Sequence, residues 1–137
     1  MHIFWIAVLS ASGVAGLSAS LGAVEPPSGF DGDGFFTSQI QPILQRSCLK
    51  CHSSDDDPEG GLALDFRAGW INGGEQGPAV VPGDLKNSPL IQAIRWLDED
   101  TAMPPKKKLS PVEVALLETW VLLGAPDPRE LPAKRTD

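Results

Sequence analysis

The sequence has 137 residues, 42% of them hydrophobic and 21% charged, which is enough for one domain with a packed core and little room for two. Its formal charge of −7 argues against general nucleic-acid binding, where Lys and Arg must neutralise phosphates. Both of the two cysteines fall within four residues of each other, so no framework of several disulfides is available to staple the fold.

Ile3 to Val24 is apolar and rich in small residues: Ile3, Phe4, Trp5, Ile6, Ala7, Val8 and Leu9, then Ser, Ala and Gly. An apolar run followed by small residues reads as a secretory leader over 1–23, cleaved between Ser18 and Ala23. The leader begins without Lys or Arg. An uncleaved membrane tether is the alternative, because about 20 apolar residues reach across a bilayer. Residues 24–34 hold Pro26, Pro27, Gly29, Gly32 and Gly34 and read as a linker. Asp31-Gly32-Asp33-Gly34 reads as a turn and not as an EF-hand loop, because Phe35 takes the next ligand position.

Phe36, Ile40, Ile43 and Leu44 recur at i, i+4, i+7 and i+8, one face of a helix. Ser38 with Gln41 offers a capping box, and Pro42 is tolerated near a first turn or else kinks the helix. This helix leads into Cys48-Leu49-Lys50-Cys51-His52. Two thiols at i and i+3 lie on one side of a turn and can add to the two vinyl groups of one haem. The imidazole that follows can then bind the iron, which is the reading the C-x-x-C-H spacing carries. Three other readings are weaker. Zinc needs a fourth ligand, and a redox dithiol expects a βαβ setting. A structural disulfide leaves His52 unexplained.

Ser53 to Gly61 is a polar loop, and its run Asp55-Asp56-Asp57 with Glu59 is most simply solvated, with calcium as the lesser reading. Leu62, Leu64 and Phe66 alternate with Ala63, Asp65 and Arg67, a strand-like segment too short for a sheet. Arg67 is a candidate partner for a haem propionate, since guanidinium pairs well with carboxylate, and Arg95 is a weaker one. Trp70 reads as core. Gly69 to Gly83 reads as loop. Ser88-Pro89 then opens a helix carrying Leu90, Ile91, Ile94 and Leu97, with Trp96 beside the stripe and Asp98-Glu99-Asp100 fraying its end.

The other histidine, His2, lies in the leader, and Met103 is the one methionine after Met1. If His52 binds iron, elimination makes Met103 the sixth ligand, and His/Met ligation raises a haem potential. Met103-Pro104-Pro105 sits outside any apolar stripe, and two prolines stiffen it. Lys106-Lys107-Lys108 reads as an exposed turn or as a cationic rim that steers an acidic partner. Ser110-Pro111-Val112-Glu113 is a helix start, and Val114, Leu116, Leu117, Trp120, Val121 and Leu123 give it a wide apolar face. Gly124 is its stop, and 126–137, with three prolines, reads as a flexible tail.

From Phe36 to Ala125 the pattern resembles the Planctomycete-type cytochrome c domain. The matching pieces are Ile40-x-Pro42-Ile43-Leu44, Cys48-x-x-Cys51-His52 and Gly60-Gly61-Leu62-x-Leu64-Asp65-x-Arg67. They continue with Ala79-x-Val81-Pro82-Gly83-Asp84, Ser88-x-Leu90, Met103-Pro104-Pro105, Leu109-x-Pro111 and Trp120-x-x-x-Gly124-Ala125. The resemblance implies a small all-α, cytochrome c-like domain over 35–125, with long loops around one covalently bound haem c. It also implies His52 and Met103 as axial ligands. The expectation is an extracytoplasmic, periplasmic electron carrier or subunit that meets redox proteins and not nucleic acid, and that is not an enzyme. The competing expectation is a peroxidase-like enzyme or gas sensor with a labile sixth ligand; the sequence offers no distal His for general acid–base work.

Overall fold

The computed structural model describes residues 24–131, so the expected leader over 1–23 and residues 132–137 lie outside the described part. Among the described residues every regular element is helical, and the only β-type pairings are two isolated bridges, Gly74–Gly77 and Val81–Asp84. None of these helices is long and apolar enough to cross a membrane. The all-α expectation holds.

The chain enters through α1 (Gly32–Phe35), a π-helical turn (Phe36–Ile40) and α2 (Gln41–Ser47). The helix begins earlier than the sequence pattern indicates. Asp31 is the N-cap and accepts the Gly34 N–H at 2.9 Å, so the Asp-Gly repeat is a helix start and not the end of a linker. Ser38 is not a cap; its hydroxyl donates to the Gly34 carbonyl at 2.7 Å within the helix. Pro42 sits in the first turn of α2, directly after the π turn, where its missing N–H breaks no established ladder. The expected stripe is inside: Phe36, Ile40, Ile43 and Leu44 are all buried.

α3 (Arg67–Asn72) occupies part of the stretch that reads as loop from Gly69. Six residues with two large apolar side chains, Trp70 and Ile71, give too little periodicity to announce a helix; burial of Trp70 fixes it. Gly69 lets α3 lie against the chain before it, because a Cβ there would come within 2.5 Å of the Ala63 carbonyl oxygen. α4 (Pro89–Ile94) is shorter than its stripe predicts and stops before Leu97, which is 74% exposed. Ser88 precedes it but caps no helical N–H. Buried, it accepts the Val81 N–H at 2.9 Å and donates to the Asp84 carbonyl at 2.6 Å, tying the 81–84 turn to the helix. α5 (Pro111–Leu122) carries the predicted capping box, with Ser110 and Glu113 bonding reciprocally, and Gly124 follows it at a φ of 92°.

Trp70 and Trp120 meet edge-to-face at 5.5 Å at the centre of the core, and Phe36 packs on Trp120 at 5.9 Å. Each buried indole N–H needs an acceptor. Both acceptors come from the segment that reads as a flexible tail. Trp120 donates to the Pro126 carbonyl at 2.8 Å and Trp70 to Asp127 Oδ2 at 2.9 Å. Arg129 then binds Asp127 at 2.7 Å, reaches the Leu64 carbonyl at 3.0 Å, and covers the Phe36 ring at 4.6 Å. The flexible-tail reading is therefore corrected for residues 126–131, which close the core.

Candidate haem-binding cavity

α2 ends at Cys48, and the pentapeptide continues as a tight turn. The Cys48 N–H donates to Leu44 at 2.8 Å, and the Cys51 and His52 N–H groups donate to the Cys48 carbonyl at 3.1 and 3.0 Å. Both thiols are free, Cys48 half-buried and Cys51 exposed. Burial pushes the Cys48 thiol up to about 11, since a thiolate there would lose its water.

The loop after His52 folds back on it. The Leu64 N–H donates to the His52 carbonyl at 2.8 Å, and His52 Nδ1 lies 3.1 Å from the Leu62 carbonyl oxygen. A carbonyl only accepts, so Nδ1 carries the proton and Nε2 keeps its lone pair for a metal. Asp65 steadies the same loop by accepting the Ser54 N–H at 3.1 Å and the Ser54 hydroxyl at 2.5 Å. Gly60-Gly61-Leu62-x-Leu64-Asp65 is thus the strap that orients His52. Its spacing is visible in the sequence, but the acceptor, a main-chain oxygen, has no residue-type signature.

Cys48, Cys51, His52 and Met103 line one cavity of about 400 Å³, within the range of small-molecule and cofactor sites. Leu62, Leu64, Ala79, Leu90 and Ile94 give it apolar walls, and Pro104 and Pro105 continue the wall from Met103. Two thiols on one turn, an imidazole with the proton on its outer nitrogen, and a thioether at the same apolar cavity fit a c-type haem. Among the described residues no three His, Cys, Asp or Glu side chains converge on a metal-ion position, including Asp55-Asp56-Asp57.

The charged lining is the reverse of what the sequence implies. Glu59, Glu75 and Asp100 border the cavity, and among the described residues no Lys or Arg does. Arg67 is not brought there. Its main-chain N–H donates to the Arg129 carbonyl at 2.7 Å and its guanidinium carbon lies 5.9 Å from the Trp70 ring, so the cavity lining itself offers the expected propionate contact no support. Arg95 is engaged by Glu118 at 2.7 Å. Ser47, Gln76 and Thr101 are the uncharged polar residues with side-chain donors that line the cavity, and nothing in their sequence setting marks them.

A helical domain without strands among its described residues, with these side chains on one apolar cavity, has the make-up expected of a haem-binding module of the cytochrome c class. The family model described as Planctomycete cytochrome C matches residues 48–107, the stretch from Cys48 past Met103, and agrees with the family that the sequence pattern resembles. The helical run before Cys48 and α5 lie outside the matched stretch. No curated protein and no solved structure matches the chain.

Proposed function

We propose that this chain is an exported, mono-haem c-type cytochrome that passes single electrons through a His52/Met103-ligated iron. The observation that carries the reading is the convergence of Cys48, Cys51, His52 and Met103 on one apolar cavity. Cys48 and Cys51 anchor the macrocycle as thioethers. His52 offers Nε2 as the proximal ligand, and the Leu62 carbonyl fixes its ring and raises its basicity. Met103 would supply its thioether as the second protein ligand. When bound, the haem supplies an iron that gains and loses one electron without a change of ligands. Leu62, Leu64, Leu90 and Ile94 keep water from it, which together with the thioether favours the reduced state.

The apolar run over 1–23, read from the sequence as a leader, supports a site of action outside the cytoplasm, where thioether attachment is made. Its partners are redox proteins that dock transiently over a small area. The exposed Lys106 and Lys107 flank the Met103 side, while Glu59, Glu75 and Asp100 border the cavity, so a partner meets both signs of charge there.

Replacing Met103 with Ala tests the reading by redox titration and carbon monoxide binding on the haem-loaded protein. The potential is expected to fall and the ferrous iron to take up carbon monoxide. An unchanged potential removes Met103 from the ligand role, and strong carbon monoxide binding by the native protein moves the assignment to a peroxidase-like or gas-sensing centre.

A further inference from the structure

Met103 is 36% exposed, so core packing does not hold it in place. Its backbone is instead fixed at both ends. The Met103 N–H donates to the Ala93 carbonyl at 3.0 Å, and the Met103 carbonyl accepts the Trp96 indole N–H at 3.1 Å. Trp96 itself is held at a φ of 56°, in the left-handed region that a large side chain avoids. Its own N–H also returns to Ala93, at 3.2 Å, and the Lys108 ammonium sits 5.0 Å from its ring centroid. A non-glycine residue kept in this region marks a place where the surroundings impose a conformation, and such places cluster at ligand clamps. The left-handed turn ends α4 and swings the indole from the apolar stripe to the Met103 loop. An α4 that ran on to Leu97, as the stripe predicts, would lack that turn.

We propose that Trp96 is a positioning residue for the distal ligand: its indole N–H holds the Met103 carbonyl, keeps the 97–102 loop closed, and slows departure of the Met103 thioether from iron. The proposal rests on the reading of Met103 as the sixth ligand. Lys108 covers the outer face of the indole and holds the ring in its bonded orientation. Neither residue touches the reacting metal.

The test uses Trp96→Phe in the haem-loaded protein, which keeps an aromatic ring and removes the donor. Carbon monoxide binding to the ferrous form is followed by stopped flow, since the gas enters only after Met103 leaves. The expected result is a rate about 3- to 10-fold above that of the native protein, the range a single lost hydrogen bond gives. The melting temperature and the exchange of the His52 Nδ1 proton should stay as in the native protein, because neither depends on this bond. In the native ferrous protein, the Trp96 indole N–H should also exchange with deuterium more slowly than a free indole. That measurement needs no variant and decides the matter if Trp96→Phe fails to fold. Exchange as fast as free indole, or an unchanged carbon monoxide rate, overturns the proposal while the ligand assignment stands. Absence of the ferric sulfur–iron charge-transfer band in the native protein overturns both.

Discussion

Replacing Asp127 with Ala is expected to be among the most damaging single changes in this protein. The Asp127 side chain is fully buried and accepts from the Trp70 indole at 2.9 Å, the Arg129 main-chain N–H at 2.9 Å and the Arg129 guanidinium at 2.7 and 2.9 Å. Its removal leaves a cation with a 14% exposed side chain without its counter-ion, and an indole N–H in the core without an acceptor. Breaking a buried pair by deleting one partner costs about 3–5 kcal/mol, and an orphaned neutral donor about 1–3 kcal/mol; the two overlap and do not simply add. Against a total stability of about 5–15 kcal/mol, a loss near 4 kcal/mol is a large share. For a domain of about 100 residues it corresponds to a fall in melting temperature of more than about 10 °C. Thermal and urea unfolding of the haem-loaded protein, followed by circular dichroism, measure it. Asp127→Asn, which keeps an acceptor for Trp70, should fall between. A loss of less than about 0.5 kcal/mol for Asp127→Ala, typical of surface positions, would refute the closure of the core by residues 126–131.

Gly69→Ala should destabilise by about 1–3 kcal/mol, because the new Cβ meets the Ala63 carbonyl oxygen at 2.5 Å and α3 must move. At an exposed helical site the same change would stabilise by about 1 kcal/mol, so a raised melting temperature would show that α3 does not lie against Ala63. The Glu113 carboxyl is held below the ordinary range by the Ser110 main-chain N–H, then by the Ser110 side chain and by Arg46, with which it forms an ion pair. Its folded value lies below its unfolded one, so its stabilising contribution is present above the usual carboxylate range and is lost as pH falls through the folded value. Glu113→Gln should flatten the acid limb of a stability–pH profile; an unchanged limb would remove this cap from acid unfolding.

Much of the fold was legible because it depends on local chemistry. Ser110 and Glu113 cap α5 as their spacing requires, and the Phe36, Ile40, Ile43, Leu44 stripe is buried because a helix sorts residues by a 3.6-residue period. Trp70 is core, as a large apolar ring far from any charge run should be. Elsewhere a polar side chain with two competing uses is found at one that its local sequence does not announce. Ser88 has the form of a cap, yet its hydroxyl serves the 81–84 turn. Arg67 has the chemistry of a propionate partner, yet α3 sets its guanidinium near the Trp70 ring and its main-chain N–H against the Arg129 carbonyl.

The sequence by itself determined the chemistry available at the cavity. Two thiols, one imidazole beside them and one thioether behind two prolines are a set of atoms that spacing and elimination identify without coordinates. Tertiary structure alone decided how those atoms are held. The Leu62 carbonyl that fixes the His52 proton, the indole N–H that grips the Met103 carbonyl, and the Asp127 carboxylate that accepts from Trp70 and closes the core are contacts across 10, 7 and 57 residues of chain. Main-chain oxygens carry no sequence signal, and a buried donor gives its proton to whichever oxygen the packed chain brings within about 3 Å. Residue type therefore announces the candidate ligands, and only the folded path of the chain selects the partners that orient them.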